Sequence, residues 1–257
     1  MIPKIIHYCW FGRGEMPQQM KKCLKSWKKY CPDWEIIQWN EDNFDITGTV
    51  WTKQAYDAKK YAFVADYVRL WALKKYGGVY LDTDVELVKK LDRFCDHRGY
   101  VGFACTLGLS TGLIGAEKDH PYINEWFAFY KGKKFITDDG MELEPNTEYS
   151  TQLLTERGLQ LNDEKQTVFD MTVYPQTFFC PLYVDSFKNV KTADTYAIHY
   201  FLATWRSEKA RNSFKKAKWR GTWLYKAAVF LRVLPGRTAR LILGDSRVER
   251  MKKKSGE

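Results

Sequence analysis

One stretch restricts this chain more than any other. A long helical pattern runs into two glycines, a short apolar strand and a pair of acids. Over Lys53–Tyr76, residues Tyr61, Val64, Ala65, Val68, Trp71 and Ala72 recur at spacings of three and four, the period of one helix face. Gly77-Gly78 follow, and glycine accepts the positive φ that ends a helix. Val79-Tyr80-Leu81 then reads as a central strand, with Asp82-Thr83-Asp84 at its carboxyl end. A helix feeding a buried strand is one arm of a parallel α/β sheet, and in such sheets ligands gather at the carboxyl ends of the strands.

The remaining patterns agree with an α/β fold. Ile5–Trp10 reads as a buried first strand, Pro17–Tyr30 as a helix with Met20, Leu24, Trp27 and Cys31 on one face, and residues 34–39 as a second strand. Tyr100–Cys105, Gly112–Ala116 and Ala197–Tyr200 read as further strands. Pro121–Tyr130 and Tyr149–Arg157 read as helices, and the charged segment Lys131–Asn146 as a loop.

Charge divides the chain in two. Residues 206–257 hold 16 Lys and Arg against 4 Asp and Glu, which exceeds the whole net charge of +10. The expected organisation is therefore a nearly neutral domain over 1–205 and a basic tail over 206–257. Within the tail, Lys215–Leu234 interleaves bases with Trp219, Trp223, Tyr225 and Phe230, the pattern of a basic amphipathic helix at an anionic membrane surface. Packing on the domain is the plainer alternative, and nucleic-acid binding ranks last. Six cysteines occur with no Cys-x-x-Cys pair, which argues against a zinc ribbon or disulfide scaffold. Scattered thiols fit a reducing compartment. The opening MIPKIIHYCWFGRG lacks the long apolar region of a signal peptide. The expected location is cytoplasmic, peripheral on the inner face of the cell membrane.

Asp82 and Asp84 are expected to point the same way from an extended segment. Two carboxylates this close repel unless a cation or a proton relieves them. A hard ion such as Mg²⁺ or Mn²⁺ takes oxygen ligands and is often completed by phosphates. The tripeptide alone reads more readily as a polar surface turn. Asp66 and Arg69, three apart on the long helix, share a face, and by themselves are an ordinary surface ion pair.

The surroundings decide between these readings. Ala65-Asp66-x-x-Arg69 followed by Gly77-Gly78-Val79-Tyr80-Leu81-Asp82-x-Asp84, with the opening Ile-Pro-Lys-Ile-Ile-His-Tyr-Cys-Trp, resembles glycosyltransferase family 32. That family includes initiating mannosyltransferases and capsule or lipopolysaccharide glycosyltransferases, and it shares its motif with the glucosyltransferase domains of clostridial toxins. The likeness covers about the first 120 residues. It implies a GT-A fold and transfer, with retention, of a hexose from a nucleotide sugar, a UDP-hexose favoured over GDP-mannose, to a glycan or lipid-linked acceptor in surface polysaccharide synthesis. By the same resemblance Asp84 binds the metal, and Asp82 the metal or the donor ribose. Asp66 holds sugar hydroxyls, Arg69 reaches the sugar or diphosphate, Tyr80 takes the place of a donor-site tyrosine, and Trp10 stacks on the base. The spacing His199-x-x-x-x-x-Trp205 looks like the late element that completes the metal site and closes over the phosphates; a packed histidine is the even alternative. His7 is expected in a buried strand with a satisfied ring, and His120 at a helix start. Ser110, Thr111 and Gly112 look like the segment facing the transferred sugar, with a plain turn before a strand as the equal alternative. Asp138-Asp139 with Pro145-Asn146 lie in a loop suited to an acceptor wall, although acidic loops are usually just solvated.

Two other classes compete. A haloacid-dehalogenase-like phosphohydrolase would use Asp82 as nucleophile, but that strand normally opens its fold, and Asp66 and Arg69 would have no role. A non-enzymatic sugar-binding or membrane-surface protein would show no metal dependence.

Overall fold

The computed structural model describes residues 1–105, 108–138, 140–143, 146–182 and 190–202. Its elements in chain order are β1 (Ile5–Cys9), α1 (Gln18–Tyr30), β2 (Glu35–Trp39), α2 (Val50–Asp57), α3 (Tyr61–Tyr76), β3 (Gly78–Leu81), β4 (Val85–Leu87), β5 (Gly99–Cys105) and β6 (Gly108–Ala116). They continue with α4 (Pro121–Ala128), β7 (Ile136–Thr137), β8 (Gly140–Met141), α5 (Thr147–Thr155), β9 (Gln166–Val168), β10 (Met171–Tyr174), α6 (Gln176–Phe179) and β11 (Ala197–His199). The tail expected over 206–257, the boundary before it and Trp205 lie outside the described residues. Among the described residues no helix is long and apolar enough to cross a membrane.

Seven strands form the central sheet in the order β2-β1-β3-β6-β5-β10-β9. β1 pairs in parallel with β2 and β3, and β5 with β10, while β6 and β9 run against their neighbours. Alternate residues serve opposite faces. Val79 and Leu81 join the core that includes Trp27 and Trp34, whereas Tyr80 joins the core that includes Val64, Val68 and Leu153. Helices therefore cover both faces, the α/β arrangement expected. The carboxyl ends of β1, β3, β5 and β10 lie along one edge.

Three expectations need correction. The single helix over Lys53–Tyr76 is two helices, α2 and α3. Between them Lys59 adopts φ +56°, and Lys60 N–H returns to the Ala55 carbonyl at 2.8 Å. A lysine rarely takes that conformation, so no glycine or proline marked the break. The strand expected from Gly112 begins at Gly108, which places Ser110 and Thr111 within the sheet. The loop over 131–146 contains the short β7–β8 hairpin.

Gly77 and Gly78 are required by geometry. Gly77 has φ +67° and returns its N–H to Leu73 at 2.8 Å. Gly78 has φ +105°, and a Cβ there would stand 2.7 Å from the Ile5 carbonyl oxygen and 3.1 Å from His7 Nε2. His7 is fully buried. Its Nδ1 accepts from Trp39 Nε1 at 3.3 Å, which leaves Nε2–H to donate to the Gly77 carbonyl at 2.8 Å. Burial pushes this imidazole down to about 4, against the opposing Gly77 bond, so it is a neutral structural residue. The substitution Gly78→Ala combines a disfavoured φ with a backbone clash and should cost ~2–4 kcal/mol. Urea denaturation checks this, and a midpoint equal to wild type would show that β1 and β3 are not so tightly apposed.

Candidate active site

The acids sit where β3 ends, but not on an extended segment. Val85 N–H bonds the Asp82 carbonyl at 2.9 Å, closing a turn, and Asp82 N–H bonds the Gly112 carbonyl at 2.8 Å. The turn leads into β4, whose Val85 lies opposite His199 of β11. That register brings a residue more than a hundred positions away against the turn. Helix α1 holds β4 from behind: Trp27 Nε1 donates to the Val85 carbonyl at 2.7 Å, and Ser26 Oγ accepts from Leu87 N–H at 2.9 Å.

Asp82, Asp84 and His199 each offer one ligand atom, all within 4.8 Å of one another. His199 Nε2 lies 3.2 Å from Asp84 Oδ1 and 4.0 Å from Asp82 Oδ2. The other oxygen of Asp84, Oδ2, accepts from Leu202 N–H at 2.8 Å. Burial opposes charge on both partners of this pair. Even so, the His199 charge keeps Asp84 below the usual carboxylate range, and Asp84 holds His199 well above its ordinary value. A bound cation takes the neutral imidazole and so displaces that proton. Ligands on a small divalent ion at ~2.1 Å stand at most about 4.2 Å apart, so the three atoms need contract only slightly. Two carboxylates and one imidazole suit Mn²⁺ or Mg²⁺.

Arg69 joins this cluster to the long helix. Nη2 lies 3.1 Å from Asp82 Oδ1 and 3.0 Å from Asp66 Oδ1, and Nη1 donates to the Thr111 carbonyl at 2.9 Å. The guanidinium carbon stands 4.7 Å from the Tyr80 ring centroid. Burial works against the Arg69 charge, but Asp82, Tyr80 and Asp66 more than offset it and hold the group protonated. Burial pushes the Asp66 carboxyl up to about 6, with Arg69 pulling the other way.

The expected site residues thus separate. Asp66, Arg69, Asp82, Asp84 and His199 form one network. Tyr80 is 2% exposed, so its ring backs Arg69 and does not face solvent. Trp10 is half-buried just past β1, its Nε1 donating to the Gly14 carbonyl at 2.7 Å. Ser110 is buried within β6, and Thr111 contributes its carbonyl to Arg69. Of the other histidines, His97 bonds the Tyr174 hydroxyl at 2.7 Å. His120 caps α4, its Nδ1 accepting from Tyr122 N–H at 3.2 Å.

Gly112 has a role that its sequence context only partly signalled. A Cβ there would stand 2.7 Å from His199 Cε1 and Nδ1 and 3.3 Å from Asp82 Oδ2. Its missing side chain admits the histidine, whereas the sequence had suggested room for a sugar. The usable signal was a glycine inside an apolar strand, which marks a close approach. Gly112→Ala should push His199 off the acids and weaken divalent-ion binding ~10–100-fold, as support-shell changes do. Calorimetric titration with Mn²⁺ measures this, and an affinity equal to wild type would remove His199 from the ligand set.

A family model described as the glycosyltransferase sugar-binding region containing DXD motif matches residues 17–100. Inositol phosphoceramide mannosyltransferase 3 of Schizosaccharomyces pombe is 35% identical over 126 residues, covering 48% of this chain and 35% of that protein. Mannosyl phosphorylinositol ceramide synthase SUR1 of Saccharomyces cerevisiae is 29% identical over 126 residues, covering 48% of this chain and 33% of that protein. The chain thus spans about a third of the length of these curated relatives. Among solved structures, the PaToxG glycosyltransferase has a TM-score of 0.44 and 20% identity, covering 60% of this chain and 68% of that one. The matched segment, residues 17–100, includes Asp66, Arg69 and the Asp82-Thr83-Asp84 turn, so this part of the chain is similar to the sugar-binding region of glycosyltransferases that contain the DXD motif.

Proposed function

We propose that this chain is a metal-dependent hexosyltransferase. It moves a sugar from a nucleotide sugar, with a UDP-hexose as first candidate, to a lipid-linked glycan acceptor in surface polysaccharide synthesis. The observation that carries this reading is the unbroken path from His199 and Asp84 through Asp82 and Arg69 to Asp66. Charge of both signs stands where a sugar diphosphate separates charge on reaction. A divalent ion bound at Asp82, Asp84 and His199 supplies positive charge for the departing diphosphate. Arg69 adds a second, fixed cation whose orientation is set by three protein acceptors, so little reorganisation is needed as charge develops. Asp66, on the far side of Arg69, accepts from sugar hydroxyls and faces the positive charge growing on the ring. Trp10 stacks on the base, and Trp205 closes over the phosphates. Retention of anomeric configuration belongs to the same reading and rests on the family resemblance. The curated relatives are named for mannose transfer to inositol phosphoceramide, which supports a lipid-linked acceptor and adds GDP-mannose to the donors worth trying.

The test is release of nucleoside diphosphate from UDP-glucose, UDP-galactose and GDP-mannose with Mn²⁺, with the anomeric configuration of any product read by NMR. Wild type should turn over at least one donor, and chelation should stop it. Asp84→Ala should lower kcat ~10²–10³-fold, the scale of losing a charge-stabilising group. Activity undiminished by chelator and by this substitution would favour a metal-independent function. The phosphohydrolase alternative predicts phosphate release from monoesters with no attack on a glycosidic bond.

The basic stretch beyond residue 205 supports attachment to the inner face of the cell membrane, since each Lys or Arg near an anionic leaflet contributes ~1 kcal/mol. The full chain should float with phosphatidylserine vesicles. The same chain carrying Lys215→Glu, Lys216→Glu and Lys218→Glu should float less. Equal recovery would refute the attachment.

A further inference from the structure

Asp66 also borders a cavity of about 230 Å³. Trp51 from α2, Asp66 from α3, Tyr130 after α4, and Asn146, Tyr149 and Gln152 at α5 line it. Neither the Asp82–Asp84 turn nor β11 contributes to it. Among the described residues Asp66 alone belongs to both places: its Oδ1 is held by Arg69 at 3.0 Å, and its residue borders the cavity. We infer that this cavity binds the terminal ring of the acceptor, a single neutral, polyhydroxylated six-membered ring; the inference rests on the transferase reading above.

Four observations support it. The volume falls below the ~300–1,000 Å³ of drug-sized pockets, which suits one ring. The walls pair flat aromatic faces with amide and carboxylate groups, matching the apolar face and the hydroxyl edge of such a ring. Their positions are fixed in advance: Trp51 Nε1 donates to the Phe63 carbonyl at 3.0 Å, and Asn146 Nδ2 to the Tyr130 hydroxyl at 3.1 Å. Among the described residues the lining also holds Glu142 and Glu148 as well as Asp66, against one cation, Lys133, so it disfavours a phosphate and accepts a neutral polyol. The order of parts then assigns the substrates. A donor tethered by its diphosphate at the metal reaches Asp66 from the Arg69 side. The attacking hydroxyl must reach the same sugar carbon, and the cavity shares Asp66 with the donor's path.

The experiment measures binding of methyl α-D-glucopyranoside, methyl α-D-galactopyranoside and methyl α-D-mannopyranoside by saturation-transfer NMR, with Mg²⁺ and either UDP or GDP present. At least one glycoside should bind wild type. Tyr149→Ala should weaken it about tenfold, a loss of ~1.4 kcal/mol. Gln152→Ala, at an exposed position on α5 that a folded chain tolerates, should weaken it about threefold. Nucleotide affinity should stay within about twofold in both variants. Unchanged glycoside affinity in the folded variants overturns the inference, as does nucleotide binding without any glycoside binding. A parallel fall in nucleotide affinity overturns it too, because the cavity would then belong to the donor. Failure of wild type to bind either nucleotide overturns the transferase reading itself.

Discussion

A buried guanidinium sets the geometry of this site. Arg69 is 5% exposed, and a charge so placed is tolerated only when paired and hydrogen-bonded. Its partners come from three elements: Asp66 on its own helix, Asp82 after β3 and the Thr111 carbonyl of β6. Losing a carboxylate would weaken the compensation of that buried charge, and losing the carbonyl would leave a buried donor unsatisfied. Helix α3, strand β3 and strand β6 are thereby held in one mutual position, with the Tyr80 ring as the platform beneath.

The candidate metal cluster is built differently. Asp84 and His199 meet because β11 pairs antiparallel with β4, outside the main sheet. Backbone groups of the following residues secure the join: Leu202 N–H reaches Asp84 Oδ2 at 2.8 Å, and Tyr200 N–H reaches the Asp84 carbonyl at 3.0 Å. The hydroxyl of Tyr200 bonds Glu86 of β4 as well. The ring of His199 stacks on Phe201 at 4.1 Å, and the bare backbone of Gly112 leaves it room. A histidine delivered by a separate ribbon can complete a site that begins on the rigid sheet.

Chemical character changes along the path. At the metal cluster the groups are charged and the ligands hard, suited to a diphosphate. Past Arg69 and Asp66 the surroundings become aromatic and amide-lined, suited to neutral rings. Asp66 stands at the boundary, its carboxyl pushed up to about 6 by burial, so near neutrality it is largely ionised and able to accept from hydroxyls.

Local pattern alone identified β1, α1, β2, the end of α3 at Gly77-Gly78 and the acids after Leu81, because each rests on nearby residues: apolar period, glycine backbone freedom, charge spacing. Asp66, Arg69 and His199 were singled out by the resemblance to a known family, not by local pattern, which read the first two as an ordinary ion pair and the third equally well as a packed histidine. Periodicity missed the break at Lys59, where a non-glycine residue carries the positive φ, and the early start of β6 at Gly108. The tertiary structure decided that Asp82 and Asp84 converge through a turn, that Thr111 serves through its carbonyl, that Tyr80 is a buried support and that Gly112 clears space for His199. Those facts follow from pairings across many residues, β3 with β6 and β4 with β11. A register is a relation between distant segments, and neither segment encodes it alone.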